Sequence, residues 1–235
     1  MAIDSSFFKQ NRERFAAALP DRTAALLFSG EEKHMSRDSD YRFFCDRNFY
    51  YLTGLERPGF VLVIEKNGGV VTSKIYAPAR DSMEERWHGK RMAFEDISAL
   101  TGIASEDVCD LEKYEEKEFE LIKDTDIKIY LDNSSVMAKP FELRKTVEKD
   151  GRKTCDLSEI TTSMRLVKST CEVQAIREAA RITEEAIEEM KMLFCHRLRG
   201  DAFYIALADY IQRGIYKILF CKPWFWRHIY HSIII

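Results

Sequence analysis

In the stretch Tyr41-Arg42-Phe43-Phe44-Cys45-Asp46-Arg47-Asn48-Phe49-Tyr50-Tyr51-Leu52-Thr53-Gly54, six of fourteen residues are aromatic, and an apolar run at 59–64 follows directly. Aromatic side chains bury a large area, so such a density indicates a packed site rather than a surface loop. The polar residues among them can bond backbone groups where Gly54 and Pro58 turn the chain. We therefore predict a packed junction that leads into a core strand.

The composition indicates a globular protein with one large domain or two smaller ones. The chain has 235 residues, of which 46% are hydrophobic and 12% aromatic, with a net charge of -3. This charge does not indicate a basic surface for nucleic-acid binding. No stretch reaches the roughly 18 apolar residues of a membrane helix. The first residues lack the pattern of a secretory leader, so we expect a cytoplasmic protein without nucleic-acid or membrane partners.

The cysteines lie at long and irregular spacings, with no Cys-x-x-Cys pair. Zinc sites and disulfide frameworks need regular spacings of Cys and His, so we predict free thiols without a metal or redox role. They are Cys45, Cys109, Cys155, Cys171, Cys195 and Cys221.

The residues up to about 160 predict a mixed β-sheet with flanking helices, an α/β fold. We expect Ser5 and Ser6 to cap a first helix that ends near Leu19. Strands are predicted at 24–28, 60–64, 70–76 and 127–131, and the turn at Asn67-Gly68-Gly69 makes the middle two a hairpin. Further helices are predicted at 93–101, at 111–123 and from near Pro140.

A long helix is predicted after Ser169, because Ser169 and Glu172 have the spacing of a capping box. One face is expected to be apolar for about six turns. Glutamates on the outer face are interpreted as solvated rather than as a metal site. The predicted apolar face consists of Val173, Ile176, Ala180, Thr183, Ile187, Met190 and Phe194, and the glutamates are Glu184, Glu185, Glu188 and Glu189.

Three segments together resemble the Xaa-Pro aminopeptidases (aminopeptidase P), which have a creatinase-like N-terminal domain. The first is Tyr50-Tyr51-Leu52-Thr53-Gly54 with Glu56-x-Pro58 and the apolar run. The second is Trp87-x-Gly89-x-Arg91, and the third is Met164-Arg165-Leu166-Val167-Lys168-Ser169 with Glu172. Each is weak alone, but their order and spacing are specific.

The resemblance implies an N-terminal domain at 1–160, followed at 161–194 by a linker and the first helix of a truncated, mostly helical "pita-bread" catalytic domain. Family members cleave the bond before a penultimate proline with two manganese ions, held by two Asp, one His and two Glu. Hard carboxylate ligands suit manganese, and a paired metal site activates water. They form oligomers and act on Xaa-Pro peptides.

The resemblance also supplies the candidate site residues. In oligomeric members the Trp that matches Trp87 extends toward the active-site mouth of a neighbouring subunit, where it can pack on proline. Arg91 could orient that loop or bind a peptide carboxylate, although a solvated Arg is the simpler interpretation. Asp46, Tyr50 and Tyr51 are interpreted as structural, and His34 and His88 have no partners for a triad.

None of the family's metal ligands is found in the sequence, so no metal-binding or catalytic residue is predicted. Asp201 and Asp209 stand in the wrong context, and His228-x-x-His231 lacks a third ligand. Residues 195–235 carry six basic and two acidic residues and end in a dense run of apolar residues. We interpret them as a tail produced by a frame shift after Phe194, or alternatively as a genuine hydrophobic tail for a partner or membrane surface.

We therefore expect a chain of the Xaa-Pro aminopeptidase family that is inactive on its own. The alternative is a non-catalytic module of the same fold that binds peptides or assembles into oligomers. A prolidase or a creatine-type amidinohydrolase is a third possibility, although Trp87-x-Gly89-x-Arg91 favours the aminopeptidase.

Overall fold

The computed structural model describes residues 3–37, 39–80, 83, 85–133, 137–149 and 151–195, with the side chains of 87, 88 and 189–195 outside the description. The chain divides into two compact units, of which one is Ile3–Leu166 and the other contains the chain from Val167 onward.

The elements of the first unit alternate between helices and strands. Its described helices are α1 (Ser5–Ala18), α2 (Arg47–Thr53), α3 (Glu85–His88), α4 (Phe94–Thr101), α5 (Glu112–Lys123), α6 (Ala138–Lys149) and α7 (Ser158–Leu166). Its described strands are β1 (Thr23–Phe28), β2 (His34–Ser36), β3 (Ser39–Asp40), β4 (Val61–Asn67), β5 (Val70–Ala77), β6 (Val108–Asp110), β7 (Lys128–Leu131) and β8 (Cys155–Asp156).

The described strands form a mixed six-stranded sheet in the order β6-β5-β4-β1-β7-β8, while β2 and β3 form a separate ribbon. The pairs β1–β4 and β4–β5 are antiparallel, whereas β1–β7, β5–β6 and β7–β8 are parallel. The predicted hairpin is thus confirmed, with Asn67 opposite Val70. The mixed sheet with flanking helices is the predicted fold class, and it is confirmed.

Strand β1 is buried along its whole length because helices cover both faces of the sheet. Side chains alternate across a strand, so Ala25 and Leu27 enter the core that α1, α2, α4 and α7 complete. Ala24, Leu26 and Phe28 enter the opposite core, which α5 and α6 complete. The site described below therefore rests on a sheet that is packed from both sides.

The aromatic stretch contains helix α2. Asp46 caps its first turn by accepting hydrogen bonds from the backbone N–H groups of Asn48 and Phe49, each at 2.9 Å. Phe49 is fully buried, which confirms the packed junction for the second half of the stretch. The first half differs from the prediction, because Tyr41 and Phe44 follow the β2–β3 ribbon and are 59% and 60% exposed.

Helix α1 ends near the predicted position, but its N-cap is Asp4 rather than Ser5 or Ser6. The Asp4 carboxylate accepts from the backbone N–H of Ser6 at 3.4 Å. Asp is as good an N-cap residue as Ser, so adjacent capping residues leave the starting position ambiguous in the sequence.

Helix α7 belongs to the first unit through its buried residues Thr161 and Met164. The predicted boundary between residues 160 and 161 falls inside this helix, and the unit extends to Leu166.

The described part of the second unit consists of residues 167–169 and helix α8 (Thr170–Cys195). Its capping box is confirmed, since the backbone N–H of Ser169 donates to Glu172 Oε2 at 2.8 Å. The predicted apolar face is wrong in detail: Ile182 and Ala186 are buried, whereas Ile187 is 43% exposed. Ala175, Ala179, Ile182 and Ala186 form a second apolar row, and periodicity alone cannot choose between two such rows.

Candidate substrate-contacting segment

The segment 78–92 carries both predicted site residues and connects β5 to α4. It is anchored at each end, because Ala77 at the end of β5 and Ile97 in α4 lie in the same hydrophobic core. The described residues between these ends include the short helix α3 and Gly89, which has a left-handed conformation (φ +83°).

Glu85 organises this segment. Its carboxylate accepts from Arg80 Nε at 2.9 Å and from Arg80 Nη2 at 3.3 Å. The same carboxylate accepts from the backbone N–H of Arg91 at 3.1 Å. The hydrogen bond from Arg80 is the main cause of a pKa of Glu85 below its ordinary value, so the acid is ionised near neutral pH. One carboxylate thus joins the beginning and the end of the segment.

Arg91 is half-buried and contacts the backbone. The simpler interpretation had expected a solvated side chain. Its Nη1 donates to the carbonyl oxygen of Ala79 at 2.5 Å, which is consistent with the predicted loop-orienting role. Trp87 lies in α3, two residues after Glu85, and its side chain is outside the described part of the structure. The predicted contact of either residue with a peptide stays a prediction.

Described charged groups of this segment hold its backbone in place. These charged groups are the ionised carboxylate of Glu85 and the guanidinium groups of Arg80 and Arg91, each of which donates at least one hydrogen bond. A general base near neutral pH needs a raised carboxylate pKa, and the shift at Glu85 has the opposite sign. The segment is suited to present a side chain to a ligand.

A second polar cluster, which the sequence did not reveal, lies where β7 ends. Asn48 Nδ2 donates to Asp132 Oδ2 at 2.7 Å, and Arg165 Nη1 donates to Asn48 Oδ1 at 3.2 Å. Burial is the main cause that raises the pKa of Asp46, and the nearby charge of Asp132 adds to it. In the sequence, this cluster was indicated only by Arg165 within the third family segment. Its partner Asn48 lies more than a hundred residues away in the chain, so the contact could not be predicted.

The described contacts of the histidine and cysteine side chains do not indicate a catalytic role. His34 Nδ1 contacts Asp40 Oδ1 at 2.5 Å across the exposed β2–β3 ribbon. Cys45, Cys109, Cys155 and Cys171 are free thiols, as predicted. Burial raises the pKa of Cys45, so its thiol stays protonated and unreactive. Cys221, Asp201, Asp209, His228 and His231 lie outside the described residues, as does the side chain of Cys195.

The described residues do not fit the manganese pair that the resemblance implied. Among them no three His, Cys, Asp or Glu residues lie together so that they could hold a metal ion. Within the same part of the chain, no helix combines the length and the apolar character needed to cross a membrane.

The sequence profile of the family "Aminopeptidase P, N-terminal domain" matches residues 8–130. The chain belongs to this family. The matched range covers the sheet from β1 to β7 and includes the Glu85 segment, so the family assignment and the fold concern the same part of the molecule.

Similar proteins carry related names. Intermediate cleaving peptidase 55 of Schizosaccharomyces pombe is 28% identical over 200 residues, which cover 80% of this chain and 40% of that protein. Xaa-Pro aminopeptidase 3 of Mus musculus is 28% identical over 178 residues, which cover 72% of this chain and 35% of that protein. The chain thus spans well under half of the length of these two relatives.

Solved structures show the same architecture. An aminopeptidase P from Bacillus anthracis superposes with a TM-score of 0.78 at 26% identity, covering 90% of this chain and 52% of that one. These homologues are peptidases, and the N-terminal aminopeptidase P domain identified from the three sequence segments is confirmed.

Proposed function

We propose that this chain is the N-terminal part of an Xaa-Pro aminopeptidase and that segment 78–92 presents Trp87 to the proline-containing peptide. The observation that carries the proposal is the family match over residues 8–130, which contains the segment closed by Glu85. A segment whose two ends are held by one carboxylate loses little entropy on binding a ligand, which favours affinity. In this proposal the hydrogen bond from Arg91 to Ala79 holds the end of the segment close to its beginning.

The proposal assigns bond cleavage to a part of the enzyme other than the described residues, which do not supply a manganese site. Manganese would then be the cofactor of the complete enzyme, and the chain by itself would be inactive. We also propose that the protein forms homo-oligomers, as its family resemblance implies, and works in the cytoplasm. The four described free thiols suit a reducing compartment.

A chimera tests the proposed role of Trp87. Residues 3–166 would replace the matching region of the full-length mouse Xaa-Pro aminopeptidase 3, and hydrolysis of an Xaa-Pro peptide would be measured. We expect the chimera to be active and Trp87→Ala to lower its kcat/KM by about tenfold, because an aromatic contact with the substrate is lost.

Lys90→Ala is the matched control, because Lys90 is exposed in the same segment. Unchanged kcat/KM in an active, folded Trp87→Ala chimera would contradict the proposed contact. The 235-residue chain alone should show no turnover with manganese. Turnover by this chain would mean that it contains a complete catalytic site.

The alternative is a non-catalytic module that assembles or binds peptides without cleavage. The exposed apolar side chains of Tyr41 and Phe44 beside the β2–β3 ribbon favour a contact surface there. Sedimentation velocity of the intact chain over a range of concentrations tests self-association, and a concentration-independent monomer would contradict both assembly proposals.

A further inference from the structure

An open cleft lies at the edge of the sheet, between α6 and the segment that leads into β8. Its volume is about 440 Å³, and its lining includes Asn133, Arg144, Glu148, Arg152, Lys153 and Thr154. This volume falls in the range of about 300–1,000 Å³ that is typical of small-molecule sites. The cleft belongs to the first unit and is separate from segment 78–92.

Within the described residues, the positive charges that line this cleft are not neutralised by ion pairs. Arg144, Arg152 and Lys153 line it together with one carboxylate, Glu148. Among the described residues, no ion pair within 4.0 Å involves any of these four side chains. The cleft thus carries an excess of positive charge in a protein whose net charge is -3.

Arg144 has unused hydrogen-bonding capacity. Its Nη2 reaches the carbonyl oxygen of Asp132 only at 3.5 Å, and its Nε is buried without a partner among the described residues. A guanidinium has five N–H donors, so among the described contacts the terminal Nη groups of Arg144 keep donors for a further acceptor. Asp156 lies close enough for the charge of Arg144 to act on it, but its oxygens accept from Ser158 and from the backbone of Asn133.

Hydrogen bonds to backbone carbonyl groups hold part of the cleft lining in place. Gly151 adopts a left-handed conformation (φ +76°) and its N–H donates to the carbonyl oxygen of Glu148 at 3.0 Å, which turns the chain sharply after α6. Arg152 then donates to the carbonyl oxygens of Ile122 and Ile127, at 2.7 and 2.5 Å. These described partners are neutral carbonyl groups, so they do not cancel the charge of Arg152.

We propose that this cleft binds a small oxyanion with two negative charges, such as a phosphate group. Arg144 and Lys153 would contact the oxyanion directly, since Arg and Lys are the usual ligands of phosphate oxygens. Arg152 would contribute its charge, and Asn133 and Thr154 can supply neutral hydrogen bonds. A nucleic-acid backbone is a poor fit because the positive charge is confined to one cleft.

The test is a titration of the 15N-labelled full chain with inorganic phosphate, with chloride exchanged to keep the ionic strength constant. We expect saturable shifts of the amides of Gly151, Lys153 and Thr154. Arg144→Gln should weaken binding by about tenfold or more, as expected for the loss of a charge-assisted hydrogen bond. Acetate, with a single charge, should bind more weakly than phosphate.

Lys145→Gln is the matched control, because Lys145 is the neighbour of Arg144 on α6 and does not line the cleft. It should bind phosphate as the unmodified chain does. Lys153→Gln is the second variant, since Lys153 is exposed and its loss does not threaten folding. Shifts that do not saturate, or equal affinity in Lys145→Gln and in folded Arg144→Gln or Lys153→Gln, would overturn the proposal.

Discussion

Arg12 shows how the fold uses a charged residue that the sequence places on an ordinary amphipathic helix. It is only 5% exposed, and its guanidinium donates to the carbonyl oxygens of Leu52 at 2.8 Å and Thr101 at 2.7 Å. These carbonyls belong to the last turns of α2 and α4, where helices lack internal donors. Burial lowers the pKa of Arg12 to about 10, so it remains charged at neutral pH and serves both helices.

Asp46 should make stability depend on pH. Burial raises its folded-state pKa above the ordinary 3.8, with Asp132 adding to the shift and Arg165 opposing it. The folded state then binds the proton more tightly than the unfolded state, so the free energy of unfolding falls as pH rises through this range. Asp46→Asn keeps an N-cap oxygen without the charge. We expect it to be more stable than the unmodified chain at pH 7 and to lose this advantage below about pH 4.

Urea unfolding at several pH values measures this difference, and Asp4→Asn provides a control of opposite sign. Hydrogen bonds from Ser6 lower the pKa of the exposed Asp4, so the contribution of Asp4 is present above pH 3.8 and is lost on acidification. Asp4→Asn should therefore be no more stable than the unmodified chain at pH 7. A pH-independent effect of Asp46→Asn would contradict the assignment of a raised pKa.

At the scale of elements, helix α2 is bounded by a capping residue at each end. Asp46 begins it, and Gly54 ends it in a left-handed conformation (φ +74°), with its N–H donating to the carbonyl oxygen of Tyr50 at 2.8 Å. Gly54 also lies directly against Phe8 of α1, so the residue that stops α2 also permits the close approach of α1. The Thr53-Gly54 pair in the family motif therefore has a packing reason.

Gly54→Ala should destabilise the protein by more than the cost of placing alanine in a left-handed backbone conformation. A Cβ at this position would lie 2.4 Å from the Phe8 ring, so overpacking adds to the cost of a left-handed alanine. Together we expect a loss of about 2–4 kcal/mol in the free energy of unfolding. Gly151→Ala is the matched control, with φ +76° and no atom within 4 Å of its Cβ, and should lose only about 1 kcal/mol. Equal losses in urea unfolding of the two variants would contradict the role of the Phe8 contact.

At the scale of the whole molecule, both sides of the sheet are completed by helices of the first unit. The two cores consist of residues between Phe15 and Met164, and α7 supplies the last of them. Since α7 also positions Arg165 against Asn48, the unit is structurally complete at Leu166.

A chain that ends at Leu166 should therefore fold independently. We expect a cooperative urea transition and an α/β circular dichroism spectrum, because the chain retains both cores. A chain that ends at Leu157 is the control, and the loss of Met164 alone should cost about 2–5 kcal/mol. An unfolded chain ending at Leu166, or equal stability of the two truncated chains, would contradict the assignment of α7 to this unit.

The sequence by itself determined the family and the longer helices and strands, but not short strands such as β2, β3, β6 and β8. The hairpin at Asn67-Gly68-Gly69, the end of the helix predicted at 93–101 and the capping box of Ser169 were correctly predicted, because turns and caps depend on residues that are neighbours in the chain. Burial was predicted less well. Tyr41 and Phe44 have the composition of a core and are exposed, since nothing local shows which aromatics a helix will cover.

Only the tertiary structure decided the strand order and the polar clusters. Asn48 and Asp132 are 84 residues apart, and the cations of the edge cleft come from α6 and from the segment before β8. Within segment 78–92 the sequence pointed to Trp87 and Arg91 but not to Glu85, whose contacts depend on how the segment bends back on itself. Periodicity and turn chemistry describe short stretches of chain, whereas burial and charge pairing are set by residues that meet only after folding.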